Sequence, residues 1–148
     1  MRPPGVAEWT GTAARVFGQA AEVARALRHH LAGPDHLFLA LLGEPGGRGS
    51  RALDHLGLAP DAAREAVLAY LRPGEDPPAR TPLLSPLARL AASRAASEAG
   101  AQGRPADTGD LLLALLGVER TPLSQAVGRL GCTTEAVRAA LERVETEA

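Results

Sequence analysis

The sequence predicts an all-α protein, an eight-helix bundle made of two tandem four-helix repeats with pseudo-twofold symmetry. The segment DHLFLALLG, residues 35–43, recurs 74 residues later as GDLLLALLG, residues 109–117, with six of nine positions identical. Residues 50–67 and 124–141 then align at the same offset without a gap. The alternating pattern of a half-buried strand is nearly absent from both copies, so helices are expected throughout.

The duplication divides one domain, residues 1–148, into repeat one, residues 9–71, and repeat two, residues 84–145. Residues 72–83 are predicted to be a linker, because RPGEDPPARTP contains four prolines and a glycine, which disfavour helix and favour an extended chain. The two repeats are expected to bury their apolar helices by packing against each other.

The first helix of repeat one is predicted to be amphipathic. Val16, Ala20, Val23 and Leu27 follow the spacing of one helical face, and arginine and glutamate occupy the other faces. The HLFLALL run that follows is apolar at nearly every position, and its Leu and Ala side chains favour helix. An acid precedes this run and Gly43 follows it, so we expect a short helix buried on all sides.

The remaining helices are predicted from capping and proline signals. Ser50 is expected to begin a short helix that Gly57 ends, and Pro60 is expected to begin the next, since proline is favoured in a first helical turn. Repeat two follows with predicted starts at Ser85-Pro86, Thr108, Ser124 and Thr133-Thr134-Glu135. Three leucines from each copy of the apolar block are predicted to form the central core: Leu37, Leu39, Leu41, Leu111, Leu113 and Leu115.

Composition excludes several classes of function. The formal net charge is −1, so the chain lacks the basic surface that nucleic-acid binding needs. No apolar run approaches the ~20 residues that span a bilayer, and the start lacks the pattern of a signal peptide, so we expect a cytoplasmic monomer with no membrane contact. All sixteen basic residues are arginine, so the lysine of a P-loop is missing and we expect no ATP binding or hydrolysis.

No catalytic residue, metal site or cofactor is predicted. The histidines have no cysteine or acid at a recognised metal-ligand spacing. We expect His36 to be a hydrogen-bonded core residue, and His29 and His30 to form a solvated helix end. Ser50 and Ser124 lie outside any nucleophile motif and suit helix capping.

Two further features suggest structural roles. Cys132 is the single cysteine and is expected to be a half-buried core residue. The glycine-rich segment GEPGGRGS, residues 43–50, resembles a phosphate-binding loop only in its glycine count. It therefore predicts a mobile bend.

The order of these motifs, and their duplication, resembles a known family. An aromatic-Thr or Ser-Pro pair opens the first helix, a Gly-x-acid-His-Leu block opens the second and ALDHLG marks the third. Over about Trp9 to Val144 the chain resembles the amino-terminal Clp R (Clp N) repeat domain of Clp-type AAA+ unfoldases, closest to the ClpC branch. The resemblance implies an eight-helix bundle that sits on an ATPase ring and receives adaptors, substrates or, in some members, cyclic-peptide antibiotics. Since no Walker motif is present, we expect a stand-alone Clp R domain.

The resemblance also implies where ligands bind. In the family, binding clusters in a groove where the amino-terminal ends of the two halves meet. The matching positions are Val6, Trp9, Thr10, Asp35, Arg80, Thr81 and Leu84. Trp9 either replaces a core phenylalanine of the family or offers a partly exposed surface of the kind found at binding hot spots.

Some ClpC relatives use two glutamates, one per half, to contact phosphorylated arginine in substrates. Asp35 stands at the first of these positions and Gly109 at the second, with Asp110 one place later. Because Gly109 supplies no carboxylate for a guanidinium group, weak phosphoarginine binding is predicted. The alternative role for both aspartates is structural, since an acid in the first turn of a helix complements its dipole.

Three functions are consistent with these observations. The first is a non-catalytic protein-binding or peptide-binding module linked to Clp protease function as an adaptor, regulator or decoy. Its partners would be Clp unfoldase or protease subunits, or their substrates. The second is sequestration of cyclic-peptide antibiotics that target the unfoldase. The third, from a different class, is a small-molecule enzyme that uses the groove between the repeats, although no motif supports catalysis.

Overall fold

The computed structural model describes residues 8–148; Val6, one of the predicted binding residues, lies outside this range. Within it, eight helices and two short strands follow one another. They are α1 (Gly11–Ala26), β1 (Leu31–Ala32), α2 (Pro34–Leu42), α3 (Arg48–His55), α4 (Pro60–Leu68), β2 (Leu83–Leu84), α5 (Pro86–Ala101), α6 (Thr108–Leu116), α7 (Pro122–Arg129) and α8 (Thr134–Glu142). The first four helices recur as the last four at an offset of 74 or 75 residues, and the predicted fold class is confirmed.

The two halves are joined by a contact that is made twice. β1 pairs in parallel with β2, with Ala32 opposite Leu84. Trp9 forms a parallel bridge with Ala106, and these two residues are the repeat equivalents of Leu84 and Ala32. In each case the segment before a long helix pairs with the segment before an apolar helix of the other half. This reciprocity expresses the pseudo-twofold symmetry in the backbone.

Cross-repeat helix packing follows the same symmetry. Helix α4 packs against α7, and α3 packs against α8 and α6. All nine residues of α2 are buried, as predicted. The predicted core is confirmed at five of the six leucines, but Leu113 is only partly buried. The reason is that Leu113 lies at the edge of a polar cavity that Arg104 and Asp110 also line.

Helices α3 and α7 begin two residues earlier than the serines suggested. Gly47 is the N-cap of α3, and the buried Ser50 hydroxyl donates to the Leu41 carbonyl at 3.0 Å instead of capping. Thr121 is the N-cap of α7, and Ser124 contributes from the third helical position by accepting from the Thr121 N–H at 2.9 Å. The prediction that Ser50 caps a helix is therefore wrong, whereas Ser124 does take part in a cap.

The segment between α4 and β2 lies along the end of α1. The Gly74 N–H donates to the Leu27 carbonyl at 2.8 Å, and the Arg28 guanidinium donates to the Glu75 carbonyl at 3.0 Å. A Cβ at Gly74 would collide with the Arg28 backbone, so only glycine fits there. Among the helices within residues 8–148, none combines the length and the apolar character needed to cross a membrane.

Candidate functional site

Four leucines of one surface are exposed although they are strongly apolar. Leu31 is 50% exposed, Leu83 61%, and Leu87 and Leu90 48% each. Successive strand residues point to opposite faces, so Leu83 faces outward while Leu84 enters the core. Leu87 and Leu90 are three residues apart in α5 and therefore share a helix face. The two short strands and α5 thus bring these side chains to one surface.

Two adjoining cavities share Leu31 and Leu83. The first has a volume of about 540 Å³ and is lined by His30, Leu31, Pro78, Ala79, Arg80, Thr81 and Leu83. The second has a volume of about 620 Å³ and is lined by Leu31, Leu83, Leu84, Pro86, Arg89, Leu90 and Ser93. We call the floor formed by Leu31, Leu83, Leu84 and Leu90 the leucine groove. No carboxylate is among the described residues that line the two cavities, whereas Arg80 and Arg89 are.

Three predicted binding residues lie at the leucine groove. Arg80 and Thr81 line the first cavity and Leu84 lines the second. The Thr81 hydroxyl accepts a hydrogen bond from the Arg25 guanidinium at 3.0 Å, which ties the linker end to α1. Sequence reasoning missed Leu31, Leu83 and Leu90; the available signal was an apolar Leu83-Leu84 pair directly after a proline-rich stretch.

Two other predicted residues, Trp9 and Thr10, are buried away from solvent. Of the two alternatives for Trp9, the structure shows the core position: the residue is 6% exposed, and its ring meets Phe17 edge-on with a centroid distance of 4.9 Å. Thr10 is the N-cap of α1 and is 3% exposed. Trp9 therefore offers no exposed indole surface to a ligand.

The Asp35 carboxylate is bound at the junction between α2 and α7. Its Oδ1 accepts the backbone N–H of Leu123 at 2.7 Å, at the start of α7, and the residue is 8% exposed. Burial raises the pKa of Asp35, while the hydrogen bond from Leu123 opposes this shift. The carboxylate therefore has a structural role, as the alternative interpretation predicted. It caps a helix of the other repeat, α7, rather than its own helix.

A hydrogen-bonded histidine pair links α2 to the segment after α4. The Gly33 N–H donates to His36 Nδ1 at 2.9 Å, so the proton of a neutral His36 lies on Nε2 and points to His29 Nδ1, 2.7 Å away. The Nε2–H of His29 then donates to the Arg72 carbonyl at 2.6 Å. Burial, followed by the charge of His29, lowers the pKa of His36 to about 4. The expectation for His36 agrees with this arrangement, but His29 is half-buried rather than solvated.

The equivalent junction in repeat two is built differently, because Gly109 has no side chain. A Cβ at Gly109 would lie 2.7 Å from Leu141 Cδ2 and 3.0 Å from Arg48 Cδ, so the Arg48 side chain fills this place. Asp110 is engaged by Arg104 through two hydrogen bonds of 2.6 and 2.8 Å. Neither position therefore offers an open carboxylate.

Within residues 8–148 the other reactive groups form neither a metal site nor an activated nucleophile. No group of three or more histidine, cysteine, aspartate or glutamate residues in the described part of the chain could hold a metal ion. Cys132 is half-buried, and burial raises the pKa of its thiol, which disfavours the reactive thiolate.

Comparison with known proteins agrees with the fold and places the chain in a family. The family model of the Clp repeat (R) N-terminal domain matches residues 8–106, and the chain belongs to this family. The chaperone protein ClpB of Oceanobacillus iheyensis is 32% identical over 99 residues, 60% of this chain and 12% of that protein. The chain thus spans about an eighth of the length of this relative.

Solved structures of Clp-type amino-terminal domains have the same fold. The N-domain of ClpV from Vibrio cholerae superposes with a TM-score of 0.78 at 18% identity, covering 95% of this chain and 89% of that chain. A complex of a ClpV N-domain with a VipB peptide superposes with a TM-score of 0.73 at 18% identity, covering 95% and 91%.

Proposed function

We propose that this chain is a non-catalytic peptide-binding module and that the leucine groove receives the peptide. The observation that carries the proposal is the exposure of Leu31, Leu83 and Leu90 around two adjoining cavities, since an exposed apolar patch marks an interaction site. The complex of a similar ClpV N-domain with a VipB peptide supports a peptide as the class of ligand.

Family membership supports a more specific role. We propose that the chain acts in the cytoplasm as an adaptor, regulator or decoy in Clp-linked proteolysis, with Clp unfoldase or protease subunits or their substrates as partners. Co-purification of Clp subunits with the tagged chain from its native cells tests this role. Capture of no Clp subunit, under conditions in which the peptide test below succeeds, would contradict it.

Peptide binding itself is tested by fluorescence anisotropy. The probe is a short fluorescein-labelled peptide with leucine at every second position, and its counterpart carries serine in place of leucine. We expect Leu83→Ser and Leu31→Ser each to weaken binding about tenfold, or about 1.4 kcal/mol. The matched control is Leu56→Ser, a leucine that is 36% exposed and lines neither cavity of the groove.

All three serine variants alter exposed leucines and should unfold within about 0.5 kcal/mol of the unmodified chain. Equal binding of the leucine and serine peptides, or equal weakening by the Leu56→Ser control, would show that the leucine groove is not the peptide site.

A further inference from the structure

Glu147, in the segment that follows α8, places its carboxylate between the starts of α3 and α6. Oε2 accepts hydrogen bonds from the backbone N–H groups of Arg48 at 2.8 Å and Thr108 at 3.2 Å, and from the Thr108 hydroxyl. Oε1 accepts from the Thr10 hydroxyl at 2.6 Å. We call the three donor residues Thr10, Arg48 and Thr108 the carboxylate socket. It engages both oxygens of one carboxylate.

The two hydroxyl donors of the socket are oriented by the fold. Thr10 is 3% exposed and Thr108 is 1% exposed. Each hydroxyl oxygen accepts a backbone N–H, from Ala13 onto Thr10 at 3.2 Å and from Gly49 onto Thr108 at 2.9 Å. Each hydroxyl proton is left to point at the carboxylate. The surrounding helices therefore orient these donors before any acid is bound.

Two glycines make room for the socket. A Cβ at Gly47 would lie 2.8 Å from the Thr108 hydroxyl oxygen and 3.4 Å from Glu147 Oε2. A Cβ at Gly49 would lie 2.9 Å from the Thr108 carbonyl oxygen. Both glycines belong to residues 43–50, the segment predicted as a mobile bend. In the structure this segment brings N–H groups close to an anion, which glycine permits.

Asp107, the residue before Thr108, also holds the main chain of Glu147, and the Arg48 side chain holds the end of α8. The N–H of Glu147 donates to Asp107 Oδ2 at 3.2 Å. The Arg48 guanidinium donates to the carbonyls of Leu141 at 2.9 Å and Val144 at 3.2 Å. The side-chain carboxylate and the N–H of one residue are thus bound together. This pattern suits an acidic residue within a peptide better than a small free anion.

The acid in the socket lies outside the helices, unlike its counterpart in the other half. Asp35 belongs to the first turn of the wholly buried helix α2 and cannot leave without unfolding it. Glu147 follows α8 in an irregular segment, and its neighbours Glu145, Thr146 and Ala148 are exposed. Departure of residues 145–148 alone would uncover the socket without removing a helical residue or the buried Val144.

We propose that the carboxylate socket binds a glutamate residue of a partner peptide, and that Glu147 is the internal ligand that such a peptide replaces. The socket and the leucine groove share no residue, so this proposal stands whether or not the leucine groove binds peptides.

The test compares the unmodified chain with Glu147→Ala, which empties the socket. The probe is the acetylated and amidated peptide Arg-Val-Glu-Thr-Glu-Ala, which copies residues 143–148. The control peptide has glutamine in place of the second glutamate. The measurement is the NMR shift of the backbone amide signals of Arg48 and Thr108 during titration.

In Glu147→Ala we expect the glutamate peptide to shift both amide signals to saturation, and the glutamine peptide to bind at least about tenfold more weakly. The unmodified chain should also respond about tenfold more weakly, because its own Glu147 competes. Adding Leu83→Ser should leave the titration unchanged, which separates this result from the proposed peptide groove.

Three outcomes would overturn the proposal. They are equal affinity for the two peptides, no saturable shift in a folded Glu147→Ala variant, and the same shifts from acetate alone at equal concentration. If Glu147→Ala does not fold, Glu147→Gln takes its place, since it preserves the side-chain volume and the N–H bond to Asp107. The same expected and contradicting results then apply.

Discussion

Asp35 and Gly109 stand at equivalent positions in α2 and α6, yet the helix junctions beside them are closed by different carboxylates. At the first junction Asp35 accepts the Leu123 N–H at the start of α7. At the second, Glu147 accepts the Arg48 N–H at the start of α3. Both arrangements place negative charge at the positive end of a short helix. Both halves therefore need a carboxylate at the start of this short helix, but they take it from different positions along the chain.

The outer surfaces of the two halves differ as well. Leu83 pairs with Leu31 through the backbone. Their repeat equivalents, Glu8 and Pro105, directly precede the bridged residues Trp9 and Ala106 and are exposed as well. On α5, Leu87 and Leu90 correspond to Thr12 and Arg15 on α1. The duplicated backbone is thus preserved, while among residues 8–148 the repeat equivalents of these four leucines are polar residues and a proline. This asymmetry is what distinguishes the leucine groove from a general feature of the fold.

The buried core should respond equally in the two halves, and it carries the largest expected effect. Leu41 and Leu115 are repeat equivalents with no exposed surface. Leu41→Ala and Leu115→Ala should each lower the free energy of unfolding by about 2–5 kcal/mol, because burial is lost and a cavity remains. Urea denaturation measures both.

The control for these core substitutions is Leu31→Ala, whose side chain is half-exposed and should change the free energy of unfolding by less than about 0.5 kcal/mol. A loss under about 0.5 kcal/mol for Leu41→Ala or Leu115→Ala would show that the two halves do not share one equivalent core.

His36 and Asp110 are the third residues of α2 and α6. Their pKa shifts predict that acid lowers the stability of the protein over two different pH ranges. The pKa of His36 is lowered to about 4, so the unfolded chain binds a proton more readily than the folded chain. The contribution of neutral His36 to the free energy of unfolding is complete above pH 6.5. As the pH falls from 6.5 through 4, up to about 3 kcal/mol of this stability is lost. Burial alone would raise the pKa of Asp110, but the hydrogen bonds from Arg104 and from the backbone hold it below 3.8. The stability due to Asp110 is therefore lost only at lower pH.

Urea denaturation at a series of pH values separates the two windows. His36→Asn keeps an oxygen that can accept the Gly33 N–H but does not titrate, so its curve should be flatter than that of the unmodified chain between pH 6.5 and 4. Parallel curves for the two proteins over this range would mean that protonation of His36 does not differ between the folded and unfolded states.

The helices could be predicted from the sequence, but which face of α5 is exposed could not. The repeated apolar block predicts α2 and α6 because leucine and alanine favour helix, and because an acid precedes each run and a glycine follows it. In α5, leucine spacing and alanine spacing both follow a helical face. The alanines are the buried residues: Ala88, Ala91, Ala92, Ala95, Ala96 and Ala99. Which stripe faces inward depends on how closely the neighbouring helix approaches, and this is a tertiary property.

The contacts of Glu147 lie further outside sequence reasoning. Its partners Thr10, Arg48 and Thr108 are 137, 99 and 39 residues away along the chain. No local pattern marks an acid in an irregular segment as the partner of a helix start. In the same way, Gly47 caps α3 without a side chain, so the sequence around Ser50 offered no sign of the true start.

The smallest expected effect comes from Gly109→Ala, which tests whether packing keeps the second junction different from the first. The new methyl group would meet Leu141 Cδ2 at 2.7 Å and Arg48 Cδ at 3.0 Å, so the Leu141 side chain must shift and Arg48 must give way slightly. Both changes disturb the bonds from Arg48 to the Leu141 and Val144 carbonyls. We expect the free energy of unfolding to fall by about 1–3 kcal/mol.

Gly128→Ala is the matched control, because Gly128 also lies within a helix and a Cβ there meets no atom within 4 Å. Since alanine favours helix over glycine, this control should be neutral or more stable by up to about 1 kcal/mol. If both variants gained stability equally in urea denaturation, Arg48 would not be fixed over position 109, and packing could not be the reason that this junction takes its acid from Glu147.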